Sequence, residues 1–168
     1  MTRRQALSLL ALGSILTLLG VGPAAAATRS ATGRYCGEQR LYGYVRSLTK
    51  SGNRYLLRFD PAFFLSGKTA NQAAARDGVV AKGEPVPNDN YVVNESRRTY
   101  VYTLTGATRI RVLLKGGDIT KGSRVSAATL AQLVRGRHPV TLFEGLDSGF
   151  WLGVHIDQAC SLSQQYHP

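Results

Sequence analysis

The sequence predicts a mainly β protein: an antiparallel OB-like β-barrel, or a sandwich, with two short inserted helices. Short runs of strand-forming residues recur along the chain with a period close to two, so each run has one face to bury. Turns, most of them containing glycine, separate these runs, and only two segments carry helix signals. A strand pair followed by a helix and further strands favours the OB-like barrel, with a split barrel or an α+β roll as rivals.

The first predicted unit is a β-hairpin. Leu41–Leu48 and Arg54–Phe59 are rich in strand formers and flank a turn that contains Gly52. We expect Pro61 to end the second strand, because proline cannot donate to the ladder. The apolar residues Phe63–Leu65 would then plug one end of the barrel.

A short helix and a loop follow the hairpin. Thr69–Gly78 begins with threonine, is rich in alanine and closes with glycine, which predicts two to three helical turns. Pro85–Asn90 is a proline-fixed loop that either caps the barrel or forms the lip of a binding site.

The second half of the chain predicts a strand meander and a second helix. The strands are Tyr91–Glu95, Thr99–Leu104 and Thr108–Leu114. Ser126 caps a helix over residues 127–134, which Gly136 ends. The last predicted strands are Val140–Glu144 and Phe150–Ile156, and residues 157–168 are expected to end in a polar tail.

The start of the chain predicts export. Arg3 and Arg4 precede the uncharged apolar stretch Ala6–Val21, which is followed by the small residues Ala24–Ala27. This order is typical of a cleavable signal peptide, whereas a bilayer span of about 20 residues would be longer and less diluted by glycine. The arginine pair also fits twin-arginine export. We therefore predict a signal peptide over 1–27, a flexible lead-in over 28–35, a single barrel domain over 36–168, and a secreted, extracellular product without a transmembrane anchor.

The charge of the chain bears on its partners. The formal net charge is +11, and removal of the leader with Arg3 and Arg4 would lower it to +9. Such a charge favours anionic cell-envelope polymers or other extracellular polyanions, although it could serve solubility alone. Nucleic acid is the less favoured partner.

The number and spacing of the cysteines favour a disulfide over a metal or cofactor site. Cys36 and Cys160 are the two cysteines, and in an oxidising compartment such a pair favours a disulfide. No spacing indicates a metal or cofactor site.

Several segments also resemble a known set of proteins. Phe59–Gly67, Ala74–Gly78, Pro85–Val93, Leu142–Glu144 and Gly149–Trp151 stand in this order, before the ending Gln164–Tyr166. The chain is similar in these segments to small secreted bacterial proteins of unknown function. The resemblance implies a recurring domain type and a secreted setting, and it supplies no catalytic or binding residues.

Basic and aromatic residues predict a binding surface. Arg109 and Arg111 alternate on one strand, and Lys115, Lys121 and Arg124 follow nearby. The turn before the preceding strand contains Arg97 and Arg98. Tyr100 and Tyr102 share one face of that strand and could stack on bases or sugars. The alternative is that these arginines form an ordinary solvated face and that the tyrosines flank the core. The candidate binding residues are Arg97, Arg98, Tyr100, Tyr102, Arg109 and Arg111.

We therefore expect a secreted, non-enzymatic β-domain with a binding role. The rival is an envelope-polymer hydrolase that uses His155, Asp157 and Glu144, where His155 and Asp157 would share a strand face. A third hypothesis is a protease inhibitor that presents the Pro85–Asn90 loop.

Overall fold

The computed structural model describes residues 39–96 and 98–167. The described residues form a mainly β domain with two short helices, as predicted. The strands are β1 (Gln39–Ser51), β2 (Arg54–Ser66), β3 (Asn90–Val93), β4 (Tyr100–Val112), β5 (Ser123–Val125), β6 (Phe150–His155) and β7 (Gln158–Gln164), and the helices are α1 (Gly67–Arg76) and α2 (Ala127–Val134).

Five of the strands close an OB-like barrel. β1 pairs with β2, β2 with β4, β4 with β7, β7 with β6, and β6 again with β1. The β4–β7 pair is parallel and the others are antiparallel. The prediction of an antiparallel barrel therefore fails at this one pair. β3 and β5 extend β2 and β4 outside the ring.

The core lies inside the barrel, where the inward faces of the strands meet one face of α2. Each fully buried large side chain there contributes about 1.5–3 kcal/mol of hydrophobic stabilisation. The main contributors are Leu57, Phe59, Leu104, Ile110, Leu130, Leu152 and Leu162.

β2 continues past Pro61, contrary to the prediction. Pro61 lies opposite Gly43 in β1, and a Cβ at Gly43 would collide with the carbonyl oxygen of Asp60. The missing side chain therefore lets β1 approach the proline, and β3 pairs with the end of β2. Phe63 is 72% exposed, so it does not plug the barrel.

β4 is one strand of 13 residues where two strands were predicted. The expected turn at Thr105–Ala107 is an irregularity in the register with β7. Thr108 fixes it, because its Oγ1 accepts a hydrogen bond from the Thr105 amide at 3.0 Å and donates to the Ala159 carbonyl at 2.8 Å.

The end of the chain also differs from the prediction. β7 was missed, although Ala159, Leu162 and Gln164 are buried and the strand occupies a central place in the ring. The predicted strand Val140–Glu144 makes only an isolated bridge, between Leu142 and Leu114.

The helices match their predicted positions closely. Ser126 caps α2 as expected, since its Oγ accepts a hydrogen bond from the Thr129 amide at 3.0 Å. α1 begins two residues before the predicted threonine. The Pro85–Asn90 loop covers this helix instead of the barrel: Val86 is buried against Ala70 and Ala74, in a cluster separate from the barrel core.

Candidate functional site

A row of exposed arginines follows the outer face of β4. Arg109 and Arg111 are exposed, and they alternate with Ile110 and Val112, which are buried in the core. Both guanidinium groups therefore lie on the outside of the barrel near the end of the strand.

β5 adds a third arginine to this row. Arg124 stands directly opposite Arg111 in the β4–β5 pair and is also exposed. The Arg111 guanidinium donates from Nη1 to the carbonyl oxygens of Lys121 and Gly122, at 3.1 and 3.0 Å. These bonds fix the Arg111 side chain over the turn that leads into β5.

β2 adds two more arginines beside the first half of β4. Arg54 and Arg58 are exposed and alternate with the buried Leu57 and Phe59. Arg58 lies opposite Val101 of β4, and its Nη2 donates to Thr99 Oγ1 at 3.3 Å. The period of two was visible in the sequence, but the pairing of β2 with β4 was not. We call the set Arg54, Arg58, Arg109, Arg111 and Arg124 the β4 arginine surface.

No carboxylate forms an ion pair with this surface within the described part of the chain. The ion pairs found there join Arg46 to Asp60, Arg76 to Asp77 and Glu95, and Lys121 to Asp118. The β4 arginine surface is thus positively charged and open to solvent.

Two acidic residues lie at its border. Asp118 Oδ1 accepts hydrogen bonds from the side chain and amide of Thr120, at 2.6 and 2.9 Å, and these lower the pKa of the Asp118 carboxyl. Asp157 is exposed in the β6–β7 turn, where its carbonyl accepts a hydrogen bond from the Thr103 amide. Both acids therefore stand at the margin of the surface, beside β5 and β7.

A hollow of about 590 Å³ lies between the β1–β2 turn and β5. Arg124 and Asn53, the neighbour of Arg54, both line this hollow, so it lies between the two halves of the surface. Most of its polar lining is hydroxyl and amide groups, from Asn53, Tyr55, Thr105, Thr108 and Ser126.

Of the two arginines predicted at the start of β4, the structure describes Arg98, which directly precedes Thr99, the hydrogen-bond partner of Arg58. Arg97 is outside the described residues. Arg98 is exposed just before β4 begins, while Arg109 and Arg111 lie near the other end of that 13-residue strand. The described part of the predicted set is therefore divided between the two ends of β4, with Arg98 near Arg58 and with Arg109 and Arg111 near Arg124.

The two tyrosines share one strand face, but it is the face directed to the core. Tyr102 packs edge-on against the Phe59 ring, with centroids 6.4 Å apart, and burial together with the nearby Tyr100 raises the pKa of its hydroxyl. Tyr100 is 49% exposed at the barrel rim. Tyr102 is thus a partly buried residue at the edge of the core, and the pair does not form an exposed stacking platform.

The residues of the hydrolase hypothesis lie at two ends of β6. His155 ends this strand, and Asp157 belongs to the following turn, in which Ile156 has a φ of 56°. His155 and Asp157 therefore do not share a strand face. Glu144 accepts a hydrogen bond from the His167 amide and lies near Phe150, at the other end of β6. At roughly 3.3 Å per residue, Phe150 is about 17 Å from His155 along the strand.

The inhibitor hypothesis placed an exposed loop at Pro85–Asn90. The Val86 amide donates to Asn71 Oδ1 at 2.9 Å, and Pro87–Asp89 forms a 3-10 turn. The loop is thus folded against α1 and does not have the extended form that a protease cleft receives.

The predicted disulfide has one residue in the described range. Cys160 is buried in β7 and is not a free thiol. Cys36 lies outside the described residues, as do the leader and the lead-in, so the pairing and the export signal stay predictions.

Comparison of the chain with protein-family models, curated proteins and solved structures gives no significant match. Within residues 39–96 and 98–167, no helix has the length and apolar character needed to cross a membrane.

Proposed function

We propose that the protein is an exported, non-enzymatic binding domain that holds an anionic polymer on the β4 arginine surface. The observation that carries this proposal is the pair Arg111 and Arg124. They lie opposite each other on the adjacent strands β4 and β5, and neither has a carboxylate partner among the described residues. Export rests on the leader sequence alone.

Like charges directly opposite each other in a sheet are unfavourable. The stability of the free domain therefore gives no reason for both Arg111 and Arg124 to be arginine. An anion between the two guanidinium groups would replace their repulsion by two charge-assisted hydrogen bonds, which favours a negatively charged partner.

The spacing of the charges supports a polymer over a single ion. Arg109 and Arg111 are two residues apart on β4, so their Cα atoms are about 7 Å apart. The Cα atom of Arg124, on β5, is about 5 Å from that of Arg111. Arg54 and Arg58 extend the row along β2. Such a row matches a chain with a negative charge on each repeating unit, held by several weak contacts.

The aromatic residues favour an envelope polymer over single-stranded nucleic acid. Base recognition by such surfaces depends on exposed rings for stacking, and Tyr102 is packed against Phe59. The exposed side chains between the arginines are the aliphatic Leu56 and Val101, 39% and 53% exposed. We therefore propose a phosphodiester or polycarboxylate polymer of the cell envelope as the partner.

Binding of fluorescently labelled poly(glycerol phosphate), measured by anisotropy at low ionic strength, tests the proposal. We expect saturable binding by the protein and at least tenfold weaker binding by the variant Arg111→Ala/Arg124→Ala. Arg137→Ala is the matched control, since Arg137 is exposed beyond α2 and outside the surface, and it should bind within twofold of the parent. Absence of binding, or equal losses in both variants, would exclude the proposed surface.

Export has its own test. Amino-terminal sequencing of the protein recovered from the culture medium should begin after Ala26 or Ala27. Recovery only inside the cell with Met1 retained would remove the exported setting from the proposal.

A further inference from the structure

A second concave site lies between β1 and the segment that follows α2. It is a cleft of about 690 Å³, within the size range of small-ligand sites. Its apolar walls come from Val45, Leu133, Val134, Leu142 and Leu146. Its polar lining comes from Tyr44, Arg46, Asn94, His138 and Asp147.

One side of the cleft carries a guanidinium group fixed from behind. Arg46 donates from Nε and Nη2 to Asp60 Oδ2, at 2.9 and 2.5 Å, and its Cζ lies 5.3 Å from the centroid of the Tyr44 ring. The Asp60 side chain is 5% exposed, whereas that of Arg46 is 54% exposed. The buried carboxylate therefore anchors the guanidinium through Nε and Nη2, and Nη1 takes no part in this ion pair.

Asn94 belongs to the same network. Its Nδ2 donates to Asp60 Oδ2 at 3.2 Å, which fixes the orientation of the amide and leaves Oδ1 as an acceptor. This side of the cleft thus presents a donor from Arg46 and an acceptor from Asn94.

The turn that carries Asp147 is also held in place by hydrogen bonds. Asp147 lies in the 3-10 turn Leu146–Ser148. Gln164 donates from Nε2 to the Gly145 carbonyl at 2.8 Å and to Ser148 Oγ at 3.0 Å, and the Tyr42 hydroxyl donates to the Ser148 carbonyl at 2.9 Å. The buried Gln164 and Tyr42 therefore hold the turn that carries the Asp147 carboxylate.

The charges of the cleft disfavour an ionic ligand. Asp60 already neutralises Arg46, and an anion would also meet the Asp147 carboxylate. A cation would meet the exposed guanidinium of Arg46 before the buried Asp60 carboxylate behind it. A neutral ligand with several hydroxyl groups avoids both conflicts, because each hydroxyl can accept from Arg46 and donate to Asp147 or Asn94.

We propose that this cleft binds an uncharged saccharide of one or two sugar units. The hydroxyl groups pair with Arg46, Asn94, His138 and Asp147, and the C–H faces of the ring pack on the aliphatic walls. The site is separate from the β4 arginine surface, and its ligand is bound without net charge. The two sites are therefore expected to respond differently to salt.

Titration of the ¹⁵N-labelled protein with cellobiose, maltose and diacetylchitobiose tests this proposal. At least one saccharide should cause saturable shifts of the Gly136 and Gly145 amide signals, and raising the salt concentration should leave its affinity within twofold. Poly(glycerol phosphate) binding is measured on the same sample and judged separately. If none of the three saccharides binds, or if hexanoate binds and they do not, the saccharide site is excluded.

Two variants locate the binding. Asp147→Ala removes a charged acceptor and should weaken saccharide binding about tenfold, while Asp157→Ala, an exposed aspartate outside the cleft, should leave it unchanged. Val134→Trp should fill the cleft and abolish binding. Equal affinities in Asp147→Ala and Asp157→Ala would overturn the proposal even if the tryptophan variant fails to fold.

Discussion

Arg46 and Arg111 are both exposed arginines on long strands of the same barrel, and they differ in what lies behind them. Arg46 donates twice to the buried carboxylate of Asp60. Arg111 donates only to the carbonyl oxygens of Lys121 and Gly122 and faces a second arginine. The first side chain satisfies a group inside the protein, whereas the second leaves its charge for a partner outside it.

The two arginines differ in their counter-charge, and this decides which of them folding requires and which can hold a polyanion. A buried carboxylate without a cation is strongly unfavourable, so Asp60 requires Arg46 for folding. Nothing within the described chain requires the charge of Arg111. Measurements of stability and of polyanion binding on the two residues should therefore give opposite patterns.

The largest expected effect is on the stability of Arg46→Ala. This variant leaves the carboxylate of Asp60 buried with Asn94 as its remaining hydrogen-bond donor, so we expect the free energy of unfolding to fall by about 3 kcal/mol. Arg111→Ala should change it by no more than about 0.5 kcal/mol. Urea denaturation at neutral pH measures both values, and similar losses in the two variants would contradict the distinction.

Gln164→Ala should rank second. Gln164 is 7% exposed, accepts from the Leu113 amide at 3.0 Å and donates to Glu144, Gly145 and Ser148. Its loss removes the partner of the buried Leu113 amide and the donor that holds the Glu144–Ser148 turn, so we expect a decrease of about 2 kcal/mol in the free energy of unfolding. The variant Gln132→Ala, at an exposed position of α2, is the control in the same denaturation series. A Gln164→Ala loss no larger than that of Gln132→Ala would show that the buried amide is dispensable.

Arg124→Thr should give the smallest change and one of opposite sign. Threonine suits a strand and removes the repulsion with Arg111, so we expect the free energy of unfolding to rise by up to about 0.5 kcal/mol. The gain should disappear when Arg111 is already alanine, which a double-mutant cycle measures. A loss of stability in Arg124→Thr would mean that the two arginines do not repel each other in the folded state.

Most strands of the barrel were predictable from local signals, but the pairing order that closes them into a ring was not. Period two identified the runs around Leu57 and Ile110, and Ser126 identified the start of α2. β7 was missed because Ser161, Ser163 and Gln164 make the segment polar, although the buried faces of β4 and β6 enclose it.

Long-range pairing also explains the corrections. Pro61 was expected to end β2, and only the fold places Gly43 opposite it. Arg109 and Arg111 could be placed on an exposed face from their alternation with Ile110. The position of Arg124 depends on the β4–β5 register, and that of Arg58 on the β2–β4 register, neither of which a single strand pattern contains.

The salt dependence of polyanion binding tests the central claim most directly. The slope of log affinity for poly(glycerol phosphate) against log salt concentration reports how many charges the protein neutralises. We predict a steep negative slope for the parent that becomes shallower by about 0.7 for each arginine removed from the β4 arginine surface, and an unchanged slope for Arg137→Ala. A slope that is the same in the parent and in Arg111→Ala/Arg124→Ala would contradict the account.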